Sequence, residues 1–282
     1  MGVAPLRARV RPPVVDGLFY PAKSEQLRGL VDQLRGSSSV PLGSCFAVVS
    51  PHAGYEYAGS VMAAAFRCAA LRRPRTVILV GPVHRDPPGG FYLPESESFS
   101  TPLGEVLVDE RAAQAVLSSD PAFQRNDIFH LEEHCLEVQI PFVQREFPGA
   151  AVLPILTGSR GTAAAAALSA ALRAAREGEE QSTVIIVSSN TASYMAGRDV
   201  AAESTLLEDL VLRKDWRGVI GAEEKKRISA CGATGIAAVL SLTGGGCRVS
   251  IVERGGSRND EQGTARTVHY AAIAFDNDAR SD

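Results

Sequence analysis

The sequence predicts an α/β fold, a central, mostly parallel or mixed sheet flanked by helices, as one sizeable domain or two small ones. Short apolar, β-branched runs recur along the 282 residues: Phe46-Ala47-Val48-Val49, Thr76-Val77-Ile78-Leu79-Val80, Val152-Leu153-Pro154-Ile155-Leu156 and Ser182-Thr183-Val184-Ile185-Ile186-Val187. Uninterrupted apolar strands of this length suit a sheet buried on both faces. Helix-forming stretches alternate with them, notably Val61–Phe66, the alanine-rich 162–176 and Ile236–Leu242, as βαβ units require. Three of the strands also run into polar turns, at His52, at His84 and at Ser188–Tyr194. In an open α/β sheet such turns, beyond the carboxyl ends of the strands, form the ligand crevice.

Composition narrows the function classes. The chain is 45% hydrophobic and 22% charged with a formal net charge of -3, so it has no general basic footprint for nucleic acid or an anionic membrane. No apolar run approaches the roughly 20 residues of a membrane helix. The N-terminal arginines lead into prolines and Asp16 rather than an apolar signal core, and a cytoplasmic protein is expected. The five cysteines, Cys45, Cys68, Cys135, Cys231 and Cys247, are odd in number, widely spaced and without a C-x-x-C pair, which fits neither a disulfide framework nor a zinc ribbon.

Taken in order, residues 1–11 form a flexible lead, 12–276 the domain and 277–282 a polar tail. Ser24 is the expected N-cap of a helix through Leu34, with Leu27, Leu30, Val31 and Leu34 on one face. Residues 85–108 read as a hairpin-bearing insertion. Its Asp86-Pro87-Pro88-Gly89-Gly90 run lacks the lysine and Ser/Thr of a phosphate-binding loop. Helices are expected over about 110–117, 199–212 and 223–227, and strands over 249–252 and 267–275. His130-Leu131-Glu132-Glu133-His134 matches an H-x-x-E-H zinc-peptidase helix. It equally matches a helix N-terminus whose Leu136, Val138 and Ile140 turn into the core.

The candidate chemistry gathers at the strand ends. Ser50-Pro51-His52-Ala53-Gly54-Tyr55 places His52 and Tyr55 on a strand-to-helix turn, and Gly81-Pro82-Val83-His84 repeats the arrangement one unit later. Two histidines released in the same slot of successive strands can converge on a metal or catalytic site. Cys231-Gly232 opens the apolar helix near Ile236. A cysteine there is either an inert buried thiol or a thiolate favoured by the helix dipole. No serine lies in a G-x-S-x-G elbow.

Asp16-Gly17-Leu18-Phe19-Tyr20-Pro21-Ala22, Pro51-His52-Ala53-Gly54-Tyr55, Gly81-Pro82-Val83-His84, Phe99-Ser100-Thr101-Pro102-Leu103-Gly104, Glu133–Gln139, Ser188-Ser189-Asn190 and Cys231-Gly232 resemble, in order, the blocks of the Memo family, which includes the AmmeMemoRadiSam system protein B. The resemblance spans about residues 12–275. It implies a single α/β domain like that of the class III extradiol dioxygenases, with a pocket at the strand ends and, in some members, a non-haem iron or related metal. The family's metal-site residues map onto His52, His84 and Cys231, with iron expected and zinc or copper as alternatives. By the same resemblance His134 becomes an acid/base group, and Tyr55, Glu133, Asn190 and Ser193 line the pocket. The chain departs from the family where Ser-Ser-Asp is followed, three residues after the aspartate, by a histidine. Here Asn190 and Ser193 stand in those places, so the edge lacks a carboxylate and an imidazole. Two functions follow: redox or dioxygenase-like chemistry on a small molecule at a metal, or a pseudoenzyme that binds a small molecule or peptide without turnover. Oligomeric state is not fixed by the sequence.

Overall fold

The computed structural model describes residues 9–85, 88–193, 198–257 and 267–277. Its first half comprises β1 (Val10–Arg11), α1 (Ser24–Ser37), β2 (Ala47–Ser50), α2 (Tyr55–Arg67), β3 (Thr76–Pro82), β4 (Phe91–Leu93), β5 (Ser98–Thr101), β6 (Gly104–Leu107), α3 (Glu110–Ser119), β7 (Phe123–Arg125) and α4 (Asp127–Glu132). Then follow α5 (Ile140–Glu146), β8 (Ala151–Thr157), α6 (Gly161–Arg176), β9 (Thr183–Ser188), α7 (Val200–Leu212), α8 (Trp216–Glu224), α9 (Ala233–Leu242), β10 (Cys247–Gly256) and β11 (His269–Asn277).

The main sheet has eight strands in the order β10-β11-β2-β9-β3-β8-β4-β7. Its centre, β2-β9-β3-β8, is parallel. The flanking pairs β10–β11, β11–β2 and β4–β8 are antiparallel, which makes the sheet mixed. Successive residues on a strand face opposite sides, and both sides are buried. On β3, Ile78 and Val80 pack with α3, α6, α7, α8 and α9, whereas Val77 and Leu79 pack with α1, α2 and α5. On β9, Ile185 and Val187 divide from Val184 and Ile186 in the same way. Two-sided burial explains why these strands read as continuous apolar runs rather than as alternating ones. Among the described residues no helix is long and apolar enough to cross a membrane.

The structure redraws several expected boundaries. α1 begins at Ser24 itself, preceded by Lys23 without a side-chain cap, so Ser24 is the first helical residue rather than the N-cap. The insertion after β3 supplies the β5–β6 hairpin, while β4 joins the main sheet and β5 pairs with β1. The eighth helix ends at Glu224, so the expected 223–227 segment holds only its last turn. Asn277 belongs to β11 rather than to the tail, and Tyr194 lies outside the described residues.

The larger correction concerns the N-terminal lead. Residues 1–8 lie outside the described residues, but Arg11 is among the largest fully buried side chains. Its guanidinium pairs with buried Glu137 and donates to the carbonyls of His130 (Nε 3.0 Å, Nη2 2.7 Å) and Glu133 (2.8 Å). Glu137 in turn accepts from the backbone N–H groups of Val14 and Val15 and from the Tyr20 hydroxyl (2.6 Å). A charge taken out of water must be fully partnered, and here every partner lies more than a hundred residues away along the chain. This pair fastens the N-terminal segment over the end of α4. Glu137→Ala should lower the unfolding free energy by about 3 kcal/mol or more, because Arg11 would be left buried and unpaired. Urea denaturation followed by circular dichroism measures this, and coincident curves for variant and wild type would contradict the role.

Candidate metal centre

His52 and His84 reach the same edge of the sheet for a geometric reason. β2 and β3 flank β9, with Ser50 level with Ser188 and Val80 level with Val187. The turns after β2, β3 and β9 therefore leave the sheet side by side. Strands two positions apart lie roughly 9.6 Å from each other, a gap two inward-leaning imidazoles can close. The rings of His52 and His84 meet edge to face with centroids 5.1 Å apart.

Cys231 comes to this edge from the other side, two residues before α9. Gly232 makes the approach possible: a Cβ there would lie 2.6 Å from Ser189 Cβ and 2.8 Å from the Ser188 carbonyl. With only hydrogen in that place, Gly232 N–H donates to Ser189 Oγ at 2.9 Å. The half-buried sulfur then lies 3.2 Å from His52 Nε2, and Asn190 N–H donates to it at 3.2 Å. One ring nitrogen from each histidine and the Cys231 Sγ all lie within 4.8 Å of one another.

Each donor is held from behind. His52 Nδ1 meets Ser188 Oγ at 2.9 Å, and Asn190 Oδ1 accepts from the His52 backbone N–H at 3.3 Å. Gln139, fully buried, donates to Pro51 O (2.8 Å) and Ser188 Oγ (3.0 Å) and accepts from Ser50 Oγ (2.9 Å). Glu133 Oε1 meets His84 Nδ1 at 2.9 Å, while its Oε2 accepts the His84 backbone N–H. With both Nδ1 atoms engaged, the Nε2 atoms are left to face the sulfur, which is how partners behind a ligating histidine fix its orientation.

The electrostatics match. Burial alone would raise the Cys231 thiol, but His52 and His84 outweigh it and hold its pKa well below the ordinary value. Burial would lower the His84 pKa, yet hydrogen bonds and charge from Cys231 and Glu133 push it up to about 10. Glu133 is likewise held well below the usual carboxylate range by His134 and His84, against its burial. A metal takes the thiolate and the neutral imidazole, so a divalent cation could replace the direct contact between ring nitrogens and sulfur. At metal–ligand distances of roughly 2.0–2.3 Å, tetrahedral donors lie about 3.5 Å apart, so the trio needs only small side-chain movements to fit.

His134 completes the cluster. Its Nδ1 lies 3.1 Å from Glu133 Oε1. Its ring stacks on His84 (5.1 Å, 22°), meets His52 edge on (5.6 Å) and touches Phe19 (4.7 Å). His130 is elsewhere. α4 stops at Glu132 because Glu133 is extended, and buried His130 places Nε2 3.0 Å from the Tyr92 carbonyl. The H-x-x-E-H helix therefore does not form, and neither does a helix starting at His130. Arg11, which takes up the His130 and Glu133 carbonyls, caps the end of α4.

Two expected pocket residues sit apart from the trio. Tyr55 is the first residue of α2, buried against Phe142 (5.2 Å) and Tyr20 (5.6 Å), and its hydroxyl is spent on the Val138 carbonyl (2.7 Å). Its ring and hydroxyl are committed to this core packing rather than to the trio. Ser193 N–H donates to Ser229 Oγ at 3.0 Å, and Ser193 joins Cys231 only on an outer cavity. Sequence reasoning missed Gln139, Ser188 and Gly232 as the groups that set the donors. Their signal was a polar or minimal residue where the neighbouring pattern is apolar.

A family model described as Memo-like protein matches residues 11–274. The chain belongs to the Memo family. A MEMO1 family protein of Thermotoga petrophila is 34% identical over 249 residues, covering 82% of this chain and 88% of that relative. Those of Methanosarcina acetivorans (31% over 270 residues) and Caldivirga maquilingensis (28% over 280 residues) each cover 94% of this chain and 98% of their own length.

In this Memo-family chain, Glu133→Gln removes the negative charge shared by His84 and His134. The His84 pKa should then fall from about 10 by at least about one unit, since a nearby anion favours the imidazolium. NMR titration of the metal-free protein reads this, and an unchanged His84 titration would show that Glu133 does not govern the ring.

Proposed function

We propose that this protein binds iron through His52, His84 and Cys231 and uses it for redox or dioxygenase-like chemistry on a small molecule. The observation that carries this reading is the convergence of two imidazole nitrogens and a thiolate sulfur within 4.8 Å at the strand ends. Zinc and copper suit the same donors. Bound iron would supply Lewis acidity, one-electron redox chemistry and a coordination position left open by only three protein ligands.

The chain's own residues supply the rest. Ser188 and Glu133 orient the two imidazoles, and Asn190 N–H fixes the sulfur. His134, with Nδ1 turned to Glu133, can hold or release a proton at Nε2. Phe19 packs against one side of that ring.

Asn190 supports a second reading, a pseudoenzyme that binds without turnover. An amide stands where the family has a carboxylate, and its oxygen is occupied by the His52 backbone. Elemental analysis after anaerobic, chelator-free purification separates the outcomes. Near-stoichiometric iron should fall at least about tenfold in His52→Ala and Cys231→Ser, while His130→Ala keeps it. Asn190→Asp with Ser193→His should raise iron retention or create activity if the edge is merely degenerate. Equal metal content in wild type, His52→Ala and Cys231→Ser would refute the trio.

A further inference from the structure

A cavity of about 380 Å³ opens on the outer side of Cys231, lined also by Arg160, Arg198, Glu223, Lys226 and Ser229. Its volume is that of a small-molecule site, and Cys231 puts its inner end at the candidate metal. Three of its side chains are cationic, set against Glu223 and the Cys231 sulfur, in a chain whose formal net charge is -3. Arg198 is anchored beneath by an ion pair with Glu203, which also accepts from Ser229 Oγ at 2.6 Å. Arg160 is exposed and meets Glu223 only loosely, at 4.0 Å, and Lys226 is exposed beside it.

Glu223 itself points to a ligand. Its Oε2 is buried and has no hydrogen-bond partner among the described residues. Such an atom is costly to leave unmet. Burial raises the pKa of its carboxyl, opposed by the Arg160 charge and helped by those of Glu224 and Cys231; a raised pKa favours the protonated acid, which is a hydrogen-bond donor. Arg160 is also the N-cap of the 16-residue α6 and offers no side-chain cap, so the first-turn amides add positive potential on the same side.

We propose that this cavity binds a small anionic molecule, a carboxylate or a phosphate ester, through Arg160 and Lys226, with Glu223 hydrogen-bonded to it. The bound molecule meets the candidate centre at Cys231, which belongs both to the cavity lining and to the trio. As the substrate of that centre it rests on the reading above, and it names the substrate class. The edge where Asn190 and Ser193 replace the family's ionisable pair then has its ionisable groups supplied from the α6 and α8 side instead.

The test uses the full chain stripped of metal, so that it does not depend on iron. Alkylation of Cys231 by iodoacetamide is followed by peptide mapping, with inorganic phosphate or succinate added and ionic strength matched with sodium chloride. One of the two anions should protect Cys231 saturably, phosphate marking a phosphate ester and succinate a carboxylate. In Arg160→Gln/Lys226→Asn the half-protecting concentration should rise about fivefold or more, while iron uptake and melting temperature match the wild type. Asn suits the left-handed backbone at position 226 (φ 53°), and Arg160→Gln alone is the fallback if the double variant melts early. No protection beyond the sodium chloride control, or protection undiminished in a folded variant, overturns the proposal. Failure of wild-type iron uptake would sink the metal reading while leaving the anion result standing.

Discussion

Everything at this site depends on the parallel, in-register pairing of β2, β9 and β3. Because Ser50 lies level with Ser188 and Val80 level with Val187, three strands release their turns at one edge, and their first polar side chains meet. A register slip of one residue would exchange the two buried faces of the slipped strand. The apolar residues on both faces of β3 and β9 therefore hold the candidate donors in place as surely as they hold the fold. Hydrophobic burial sets the position of the chemistry here, and hydrogen bonds only trim it.

A second constraint fixes what the strands alone cannot. His134 sits on an irregular segment between α4 and α5, where no ladder or helix determines the backbone. That segment is held from two directions. Glu133 ties it to His84, and Arg11 with Glu137 ties it to the N-terminal segment. The carboxylate of Glu133 thus has two tasks, orienting one candidate ligand and holding the ring of the candidate acid/base group. A buried charge network of this kind adds little to stability as a whole, but losing one member is severe. The cluster is accordingly rigid where donors must converge, and its outer wall at Arg160 and Lys226 stays exposed.

How much of this could be read in the sequence follows from how local each determinant is. The central strands and the slots of His52 and His84 were legible because apolar run, turn and histidine lie within ten residues of one another. Cys231 was legible as a helix-start cysteine, but its meeting with His52 spans 179 residues and was implied only by the resemblance. The break after α4 was not legible, since local periodicity favours a continuing helix and the competing partner, Arg11, lies 119 residues upstream. Tyr55 shares a motif with His52, yet helix geometry turns it to the Val138 carbonyl. Glu223 and Arg160 gave no signal, because their cavity forms only when α6 and α8 pack together beside Cys231.

The central claim is that one thiolate and two imidazoles form a single metal centre. X-ray absorption at the iron edge of the iron-loaded protein tests it most directly. A shell containing one sulfur at about 2.3 Å and imidazole nitrogens near 2.1 Å, with the sulfur contribution lost in Cys231→Ser, is the predicted result. A shell of oxygen and nitrogen alone, identical in wild type and Cys231→Ser, would contradict it.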